Sequence, residues 1–414
     1  MTSSTLSHTF DNGLVLVAEP IASLRSAAFT MLVPAGCANE PDELSGLGGF
    51  TCEMALRGAG ERDSRQFILD LENLGVNRHE SVQNIHAGFS GAMLAENLPE
   101  ALAIYADLLR RPHLPPEQIE ASRSMMFQEL RAVEDEPAHK LMLELRRCHY
   151  PRPWNKSPHG SQPGVEAIGI EQVRTHFSRY YRPGGTIIGV AGHFDWKQLK
   201  DTVERLLGDW EPQELPSIVE SPAGPRYDHL PYDSNQTHVG IGYASVPYRD
   251  PDYFQAWGAV GVLSGGSSSR LFTEVRERRG LCYSINASQH TLKDVGAVLC
   301  YVGTSADRAR ETLDITLAEI ERLAEGIEEQ ELDRLKARIK SALIMQQESS
   351  HSRSATLARD WYHLGRARTL EEVGRIIDEL SSRSINAYLE KHPPDDFTIV
   401  TLGPEKLETP GGIS

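Results

Sequence analysis

The chain has 414 residues, of which 40% are hydrophobic and 24% charged, and its formal net charge is −16. This length exceeds one ordinary hydrophobic core, so we expect two lobes of about 200 residues each. The acidic surplus excludes a nucleic-acid-binding protein, since phosphate contacts need excess Lys and Arg, and no segment approaches the ~20 apolar residues of a membrane helix.

The cysteines and the N-terminal residues indicate a reducing compartment. The five cysteines are scattered, odd in number and never spaced as C-x-x-C, so neither a disulfide framework nor a cysteine zinc module is predicted. The start of the chain lacks a basic or apolar export region, and its first cation is Arg25. We therefore expect a cytoplasmic protein. Its acidity favours basic peptides or basic partners, or serves only solubility.

The first predicted lobe, residues 1–213, opens with strand-like segments at 13–18 and 26–33 that are rich in β-forming residues. Helical patterns follow in four stretches: about residues 45–58, 64–74, 98–110 and 115–147, the last unusually long. The lobe closes with three further elements: a helix near 170–181, a strand at 186–192 and a helix near 195–209.

A linker is predicted over residues 214–232, because the stretch 211–232 carries five prolines and little apolar periodicity. The second predicted lobe, residues 233–414, begins again with a strand at 238–243 and a helix near 251–263. In both lobes a helix that ends near a tyrosine leads into a closing strand, the second at 397–403. The pattern predicts an α+β fold of two homologous lobes.

Residues 45–58, S-G-L-G-G-F-T-C-E-M-A-L-R-G, resemble the S-G-x-A-H-F-x-E-H-M-x-F-x-G helix of the insulinase/pitrilysin zinc peptidases. The frame of that motif is kept at five places: Ser45, Gly46, Phe50, Met54 and Gly58.

The three functional places of the motif have changed. The resemblance puts Gly49 at the first zinc-binding His, Cys52 at the catalytic Glu and Glu53 at the second His. Two imidazoles four residues apart lie on one helical face and reach one ion, which a glycine cannot do. A thiol does not replace the carboxylate that takes a proton from metal-bound water. We therefore predict no catalytic residue and no metal ligand in this chain.

Residues 120–130 resemble the family segment that supplies a third zinc ligand, and Glu129 falls at that place. Ser122 stands where the family segment carries a second acidic residue. An atypical metal site formed by Cys52, Glu53 and Glu129 remains one alternative. The other is that Glu129 is an ordinary exposed acid on a helix.

The most specific match is residues 264–285, which resemble the family signature G-G-x-x-S-R-L-F-x-x-x-R-E-x-x-G-L-x-Y-S. This resemblance assigns the substrate-binding pair of the family to Arg276 and Tyr283. Such a pair can direct a guanidinium and a phenol hydroxyl at one peptide carbonyl. The alternative is a cation at a helix end beside a packed strand tyrosine.

The same stretch has clear local signals. Residues 267–269 can cap a helix that runs to Arg279, and Gly280 can end it in the left-handed conformation. A strand is predicted to begin at Leu281.

Residues 74–77, L-G-V-N, are similar to the family segment L-G-G-x-x-N with one residue missing. The match makes Asn77 a candidate substrate-binding residue at the start of an edge strand, which can pair with an extended peptide. Asn77 as an ordinary turn residue is the alternative.

These resemblances span nearly the whole chain and imply lobes built from a mostly antiparallel sheet with helices packed on one face. They imply a non-catalytic, substrate-binding subunit that pairs with a separate chain carrying an intact H-x-x-E-H motif, with zinc expected only in that partner. Two alternatives remain, a structural or assembly protein derived from the family and an active peptidase with the atypical metal site. A homodimer in isolation also remains open.

Overall fold

The computed structural model describes residues 5–346 and 349–408. They form two compact units. Unit 1 takes its described residues from Met1–Arg131, Lys156–Val219 and Ile344–Leu370. Unit 2 takes its described residues from Ala132–Asn155, Glu220–Leu343 and Glu371–Ser414.

The strands are β1 (Leu6–Thr9), β2 (Val15–Pro20), β3 (Ser26–Val33), β4 (Gly58–Ala59), β5 (Arg62–Asp63), β6 (Asn77–Val82), β7 (Ala87–Leu94), β8 (Ile187–Gly192), β9 (Tyr227–Pro231), β10 (Gln236–Ser245), β11 (Cys282–Thr291), β12 (Gly296–Ser305) and β13 (Thr398–Gly403). The α-helices are α1 (Leu47–Ala55), α2 (Ser64–Asn73), α3 (Leu98–Arg110), α4 (Ile119–Asp135), α5 (Pro137–His149), α6 (Gln162–Ala167), α7 (Ile170–Tyr180), α8 (Trp196–Leu207), α9 (Tyr253–Ser264), α10 (Ala309–Glu321), α11 (Glu329–Gln346), α12 (Ser350–Leu364), α13 (Leu370–Glu379) and α14 (Ser382–Lys391). A π-helix covers Phe272–Arg278.

The two units repeat one sheet topology, which confirms the predicted α+β fold. The strand order is β1-β2-β8-β3-β7-β6 in unit 1 and β11-β12-β10-β13-β9 in unit 2. Strands β2, β8, β3, β7 and β6 of unit 1 therefore correspond, in this order, to β9, β13, β10, β12 and β11 of unit 2. Each sheet contains one parallel pair, β2 with β8 and β13 with β9, and its other pairs are antiparallel.

The predicted long helix over residues 115–147 was wrong. The structure breaks it into α4 and α5 at Glu136, whose backbone is non-helical (φ −114°, ψ 84°). Pro137 causes the break, because its ring disfavours a helical residue before it and it has no N–H to donate. As a first helical residue, however, proline is well tolerated.

This break lets α5 join unit 2, where it packs across β10. Leu141 and Leu145 belong to a buried cluster with Leu299 and Val400. A Cβ at Gly240 would lie 3.3 Å from Cδ2 of Leu145, so the glycine allows the helix to approach the strand. This cluster is on the face of the sheet opposite Val298 and Ile399, which belong to the main core of the unit.

Unit 1 has the same arrangement with α12. Leu357 and Ala358 pack on Val17 and Ala191, which face away from the main core of the unit. A Cβ at Gly189 would lie 2.3 Å from the carbonyl oxygen of Ser354. Helices therefore cover both faces of each sheet, and one of the covering helices comes from the other half of the sequence.

The predicted lobes, residues 1–213 and 233–414, and the predicted linker at 214–232 differ from this arrangement. The predicted lobes are continuous segments, whereas in the structure α5 lies in unit 2 and α12 contacts the sheet of unit 1. Within the predicted linker, β9 pairs in parallel with β13. Pro231 is tolerated in β9 because it is the last residue of the strand and because β9 lies at the edge of the sheet. Among the described residues, no helix is long and apolar enough to cross a membrane.

Candidate functional site

Helix α1 carries the altered metal-site motif, and a buried carboxylate holds its first turn. Glu40 accepts hydrogen bonds from the backbone N–H groups of Gly46 and Gly48, each at 2.7 Å. Gly46 has φ +105°, a conformation that favours glycine. Burial raises the pKa of Glu40 to about 7, although these hydrogen bonds act in the opposite direction.

The raised pKa of Glu40 makes the stability of unit 1 depend on pH. Between pH 4.5 and about 7 the unfolded chain has released the proton that folded Glu40 keeps, so folded wild type loses stability as pH rises. A glutamine at this position does not titrate, so the stability of Glu40→Gln should not fall over this interval. The free energy of unfolding of the variant should therefore rise by on the order of 3 kcal/mol relative to that of wild type between pH 4.5 and about 7. Hydrogen exchange of the α1 amides, measured by mass spectrometry at several pH values and corrected for the intrinsic exchange rate at each pH, measures the difference. Glu43→Gln, at an exposed position, is the control. A difference from wild type that stays constant across the interval would contradict the assignment.

A side chain at the position of the first family histidine would closely contact its neighbours in this structure. A Cβ at Gly49 would lie 3.2 Å from Cε of Met126 and 3.4 Å from the carbonyl oxygen of Pro158. Met126 is itself buried in the core of unit 1. The neighbouring side chain therefore fills the space beside Gly49.

Cys52 is a buried thiol. Burial raises its pKa to about 12, and the charges of Glu80 and Glu53 add to the increase. The neighbouring Tyr181 hydroxyl is also buried, and burial raises its pKa well above the usual range. At neutral pH Cys52 is therefore protonated, a form that is neither a good metal ligand nor a general base.

The two carboxylates near this helix have different surroundings. Glu53 forms an ion pair with Arg57, four residues later on the same side of the helix. Glu129 is exposed on α4. Partial burial of its carboxyl group, and then the charge of Glu53, raise its pKa. Ser122 replaces the second family acid, and its buried hydroxyl has no hydrogen-bond partner among the described residues.

Among the described residues, the side chains close enough together to hold a metal ion form a different cluster. Glu144, Cys148 and Asp228 in unit 2 bring ligand atoms within 4.8 Å of one another, whereas Cys52, Glu53 and Glu129 do not form such a group. Arg147 occupies that cluster, with Nε 2.7 Å from Oε1 of Glu144 and Nη2 3.2 Å from Oδ2 of Asp228. Arg147 therefore already pairs with both carboxylates of that cluster. The residues of α1 and α4, for their part, do not fit a zinc ion.

The structure brings the predicted pair Arg276 and Tyr283 together. Arg276 lies in the π-helix, and the central carbon of its guanidinium is 5.1 Å from the centroid of the Tyr283 ring. Gly280 has φ +56° and ends the helix, as predicted, and the following strand begins at Cys282. The helix over residues 272–278 is a π-helix rather than the regular helix expected, and such helices are frequent at functional sites.

A β-bulge turns Tyr283 outward. The pairing of β11 with β12 shifts register between Cys282 and Ser284, which leaves Tyr283 without a partner in the ladder. Its side chain is 85% exposed. Such exposure is unusual for a tyrosine and does not fit the packed-tyrosine alternative.

Phe272 is a third member of this group that the sequence analysis missed. Its ring centroid lies 4.6 Å from the guanidinium carbon of Arg276, on which Tyr283 also stacks. The signal available in the sequence was an aromatic residue four positions before the arginine. Within the described part of the chain Arg276 forms no ion pair, whereas the adjacent Arg278 and Arg279 both pair with Glu274. We name Phe272, Arg276 and Tyr283 the arginine–aromatic group.

Asn77 lies where the edge-strand prediction placed it. It is exposed and is the first residue of β6, which is an edge of the unit 1 sheet. Gly75, with φ +64°, ends the preceding helix α2. Because α1 also contacts β6, the edge strand runs beside the altered motif.

Comparisons with known proteins cover both halves of the chain. Residues 16–151 match the family model described as insulinase (peptidase family M16), and residues 167–339 match the one described as peptidase M16 inactive domain. A protein of Bacillus subtilis (strain 168), called an uncharacterized zinc protease, YmxG, is 24% identical over 403 residues. That alignment covers 96% of this chain and 98% of the relative.

Two solved structures share the fold. A peptidase M16 inactive domain from Pseudomonas fluorescens superposes with a TM-score of 0.90 at 20% identity, over 98% of this chain and 99% of that chain. A protease from Helicobacter pylori gives a TM-score of 0.90 at 19% identity, over 97% and 100% of the two chains.

Proposed function

Since the chain belongs to the insulinase family of peptidases (family M16), we propose that it is the non-catalytic, substrate-binding subunit of a heterodimeric zinc peptidase. The partner is a chain with an intact H-x-x-E-H motif, and zinc is held only by that partner. The substrate is a peptide, and the net charge of −16 favours a basic one. A cytoplasmic location is part of this proposal.

The arginine–aromatic group is the observation that carries the proposal. The guanidinium of Arg276 stacks on two aromatic rings, and no carboxylate of the described chain neutralises it. Cation–π stacking orients the planar group and leaves its N–H donors at the edge, where a peptide carbonyl can accept them. Donors held in place in this way stabilise negative charge that develops on such an oxygen.

The altered helix is the reason why the proposal gives this chain no hydrolytic activity of its own. Gly49 offers no ligand, the thiol of Cys52 is protonated at neutral pH, and the carboxylate of Glu53 is paired with Arg57. A water molecule there would have neither a metal to lower its pKa nor a base to accept its proton. Binding and positioning of peptide are therefore the tasks left to the chain.

The isolated protein is expected to contain far less zinc than one ion per chain after purification without chelator, because α1 and α4 supply no suitable ligand set. Its melting temperature should not change when EDTA is added, since no structural metal would be lost. Elemental analysis and thermal unfolding measure these two quantities. A tightly held zinc ion, lost in a Cys52→Ser or Glu129→Gln variant, would instead support the atypical metal site.

The test of the partnership is reconstitution. This protein is mixed with candidate chains that carry H-x-x-E-H and come from the same cell, and peptide cleavage is compared with that of each chain alone. We expect one pair to cleave peptides at least ~10² times faster than either chain, the scale of one transition-state donor. Absence of any gain with all candidates would overturn the proposal.

The assembly alternative predicts a different result in the same experiment. A structural subunit would bind its partner, yet Arg276→Ala would leave the activity of the complex unchanged. Binding measured by size-exclusion chromatography therefore has to be recorded beside activity.

A further inference from the structure

A cleft of about 380 Å³ in unit 2 lies between a Gly-Ser loop and α11. The loop, residues 265–269, joins α9 to the helix that carries Arg276. Its wall contains three consecutive serines, at positions 267–269, and two arginines of α11, Arg334 and Arg338. The apolar part of the wall includes Val262 and Leu335.

The two arginines give the wall of the cleft two positive charges. Arg334 and Arg338 are exposed and four residues apart, so their side chains lie on one face of α11. Neither forms an ion pair or a hydrogen bond among the residues that the structure describes. Two like charges at this spacing repel one another, and an anion between them would remove that cost.

The acid among the lining residues is already engaged. Glu331 forms a two-pronged ion pair with Arg270, with Nε to Oε1 and Nη2 to Oε2 both at 2.8 Å. Its carboxylate is thereby bonded to Arg270, although the charge of Arg334 also lies near enough to lower the pKa of Glu331. The cleft therefore has a net positive charge in a protein whose overall charge is −16.

Gly266 shows that the cleft is shaped around Arg338. A Cβ at this position would lie 2.8 Å from Nη1 of Arg338. Gly266 does not have the positive φ that would require a glycine. The glycine is therefore explained by the space that it leaves and not by its backbone conformation. Its absence lets the guanidinium lie against the loop, next to the serines.

We propose that this cleft binds the phosphate group of a small phosphorylated molecule. Guanidinium groups bind phosphate oxygens through paired N–H donors, and serine hydroxyls donate to the same oxygens. The volume exceeds that of a phosphate ion and reaches the lower range of ligand pockets, so an organic portion would rest on Val262 and Leu335. The proposal is independent of the peptide-gripping role and of any partner.

The test is calorimetric titration of the full chain, without partner, with inorganic pyrophosphate and with adenosine 5′-diphosphate. Wild type is expected to bind pyrophosphate with a dissociation constant on the order of 0.1–1 mM. Arg334→Gln combined with Arg338→Gln should weaken binding at least ~10-fold through loss of charge-assisted hydrogen bonds. The matched control, Arg310→Gln with Lys340→Gln, removes two cations elsewhere in unit 2, each paired with an aspartate.

A second variant keeps the charge and changes the shape. Gly266→Val displaces the guanidinium of Arg338 and should weaken binding to a similar extent, while circular dichroism verifies that it folds. Tighter binding of the nucleotide than of pyrophosphate would indicate an organic phosphate, and equal binding would indicate the inorganic ion. Absence of saturable binding by wild type, or equal losses in the control, would overturn the proposal.

Discussion

Arg276→Ala is expected to lower kcat/KM of the reconstituted peptidase complex about 10²–10³-fold, the usual cost of removing one preorganised donor to a developing oxyanion. The guanidinium is the centre of the arginine–aromatic group and has no competing carboxylate in the described chain. Because the interaction strengthens in the transition state, the loss should fall mainly on kcat rather than on KM. Steady-state kinetics on one peptide substrate separate the two parameters.

The other members of the group should give smaller, graded effects. Tyr283→Phe keeps the stacked ring and removes only the hydroxyl, so we expect roughly a tenfold loss in kcat/KM if that hydroxyl touches the substrate. Phe272→Leu leaves both donors and loosens the guanidinium, at a cost of about 1 kcal/mol of stacking. It should therefore reduce activity less than Arg276→Ala does.

Arg278→Ala is the matched control, since Arg278 lies in the same π-helix but is paired with Glu274. Its activity should remain within about twofold of wild type, as expected for an exposed ion pair. If Arg276→Ala behaves like Arg278→Ala while the complex still forms, the substrate-gripping role is wrong and the assembly alternative gains.

Glu19→Ala is expected to destabilise unit 1 by about 3–5 kcal/mol, the cost of leaving one member of a buried ion pair without its partner. Arg353 and Glu19 are 1% and 3% exposed, with Nε of the arginine 2.7 Å from Oε2 of the glutamate. Arg353 also donates to the carbonyl oxygen of Arg368, so it would remain buried after the substitution. Glu19 lies in β2 and Arg353 in α12, so the pair ties that helix to the sheet.

Hydrogen exchange measured by mass spectrometry suits this prediction, because global unfolding of a chain with two units is not a single two-state transition. We expect faster exchange in α12 and β8 and little change in β10 and β12. Lys197→Ala is the control, since it removes only an exposed pair with Asp201 at 2.5 Å and should leave the exchange of α12 and β8 unchanged.

Replacing Glu19 and Arg353 together by methionine should cost much less than Glu19→Ala, because no uncompensated charge then stays buried. A single Glu19→Ala variant with unchanged exchange in α12 would show that the pair does not hold the helix.

Local signals in the sequence were sufficient for the altered motif and for the end of the helix before Gly280. Gly49 lacks a ligand atom in any fold, and Gly280 ends its helix through a conformation that glycine adopts without strain. The break at Pro137 was also local, yet the helical periodicity on both sides of Glu136 concealed it. The spacing of the motif correctly placed Arg276 near Tyr283, since the two residues are only seven positions apart.

The sequence by itself therefore determined the α+β repeat, the loss of the ligand set on α1 and the pairing of Arg276 with Tyr283. The tertiary structure alone decided that α5 joins unit 2, that α12 covers the sheet of unit 1, and that Arg353 reaches Glu19, 334 positions away. The reason is physical: periodicity and turn residues act over a few positions, whereas both faces of a buried sheet must be covered by whichever apolar helix can reach them.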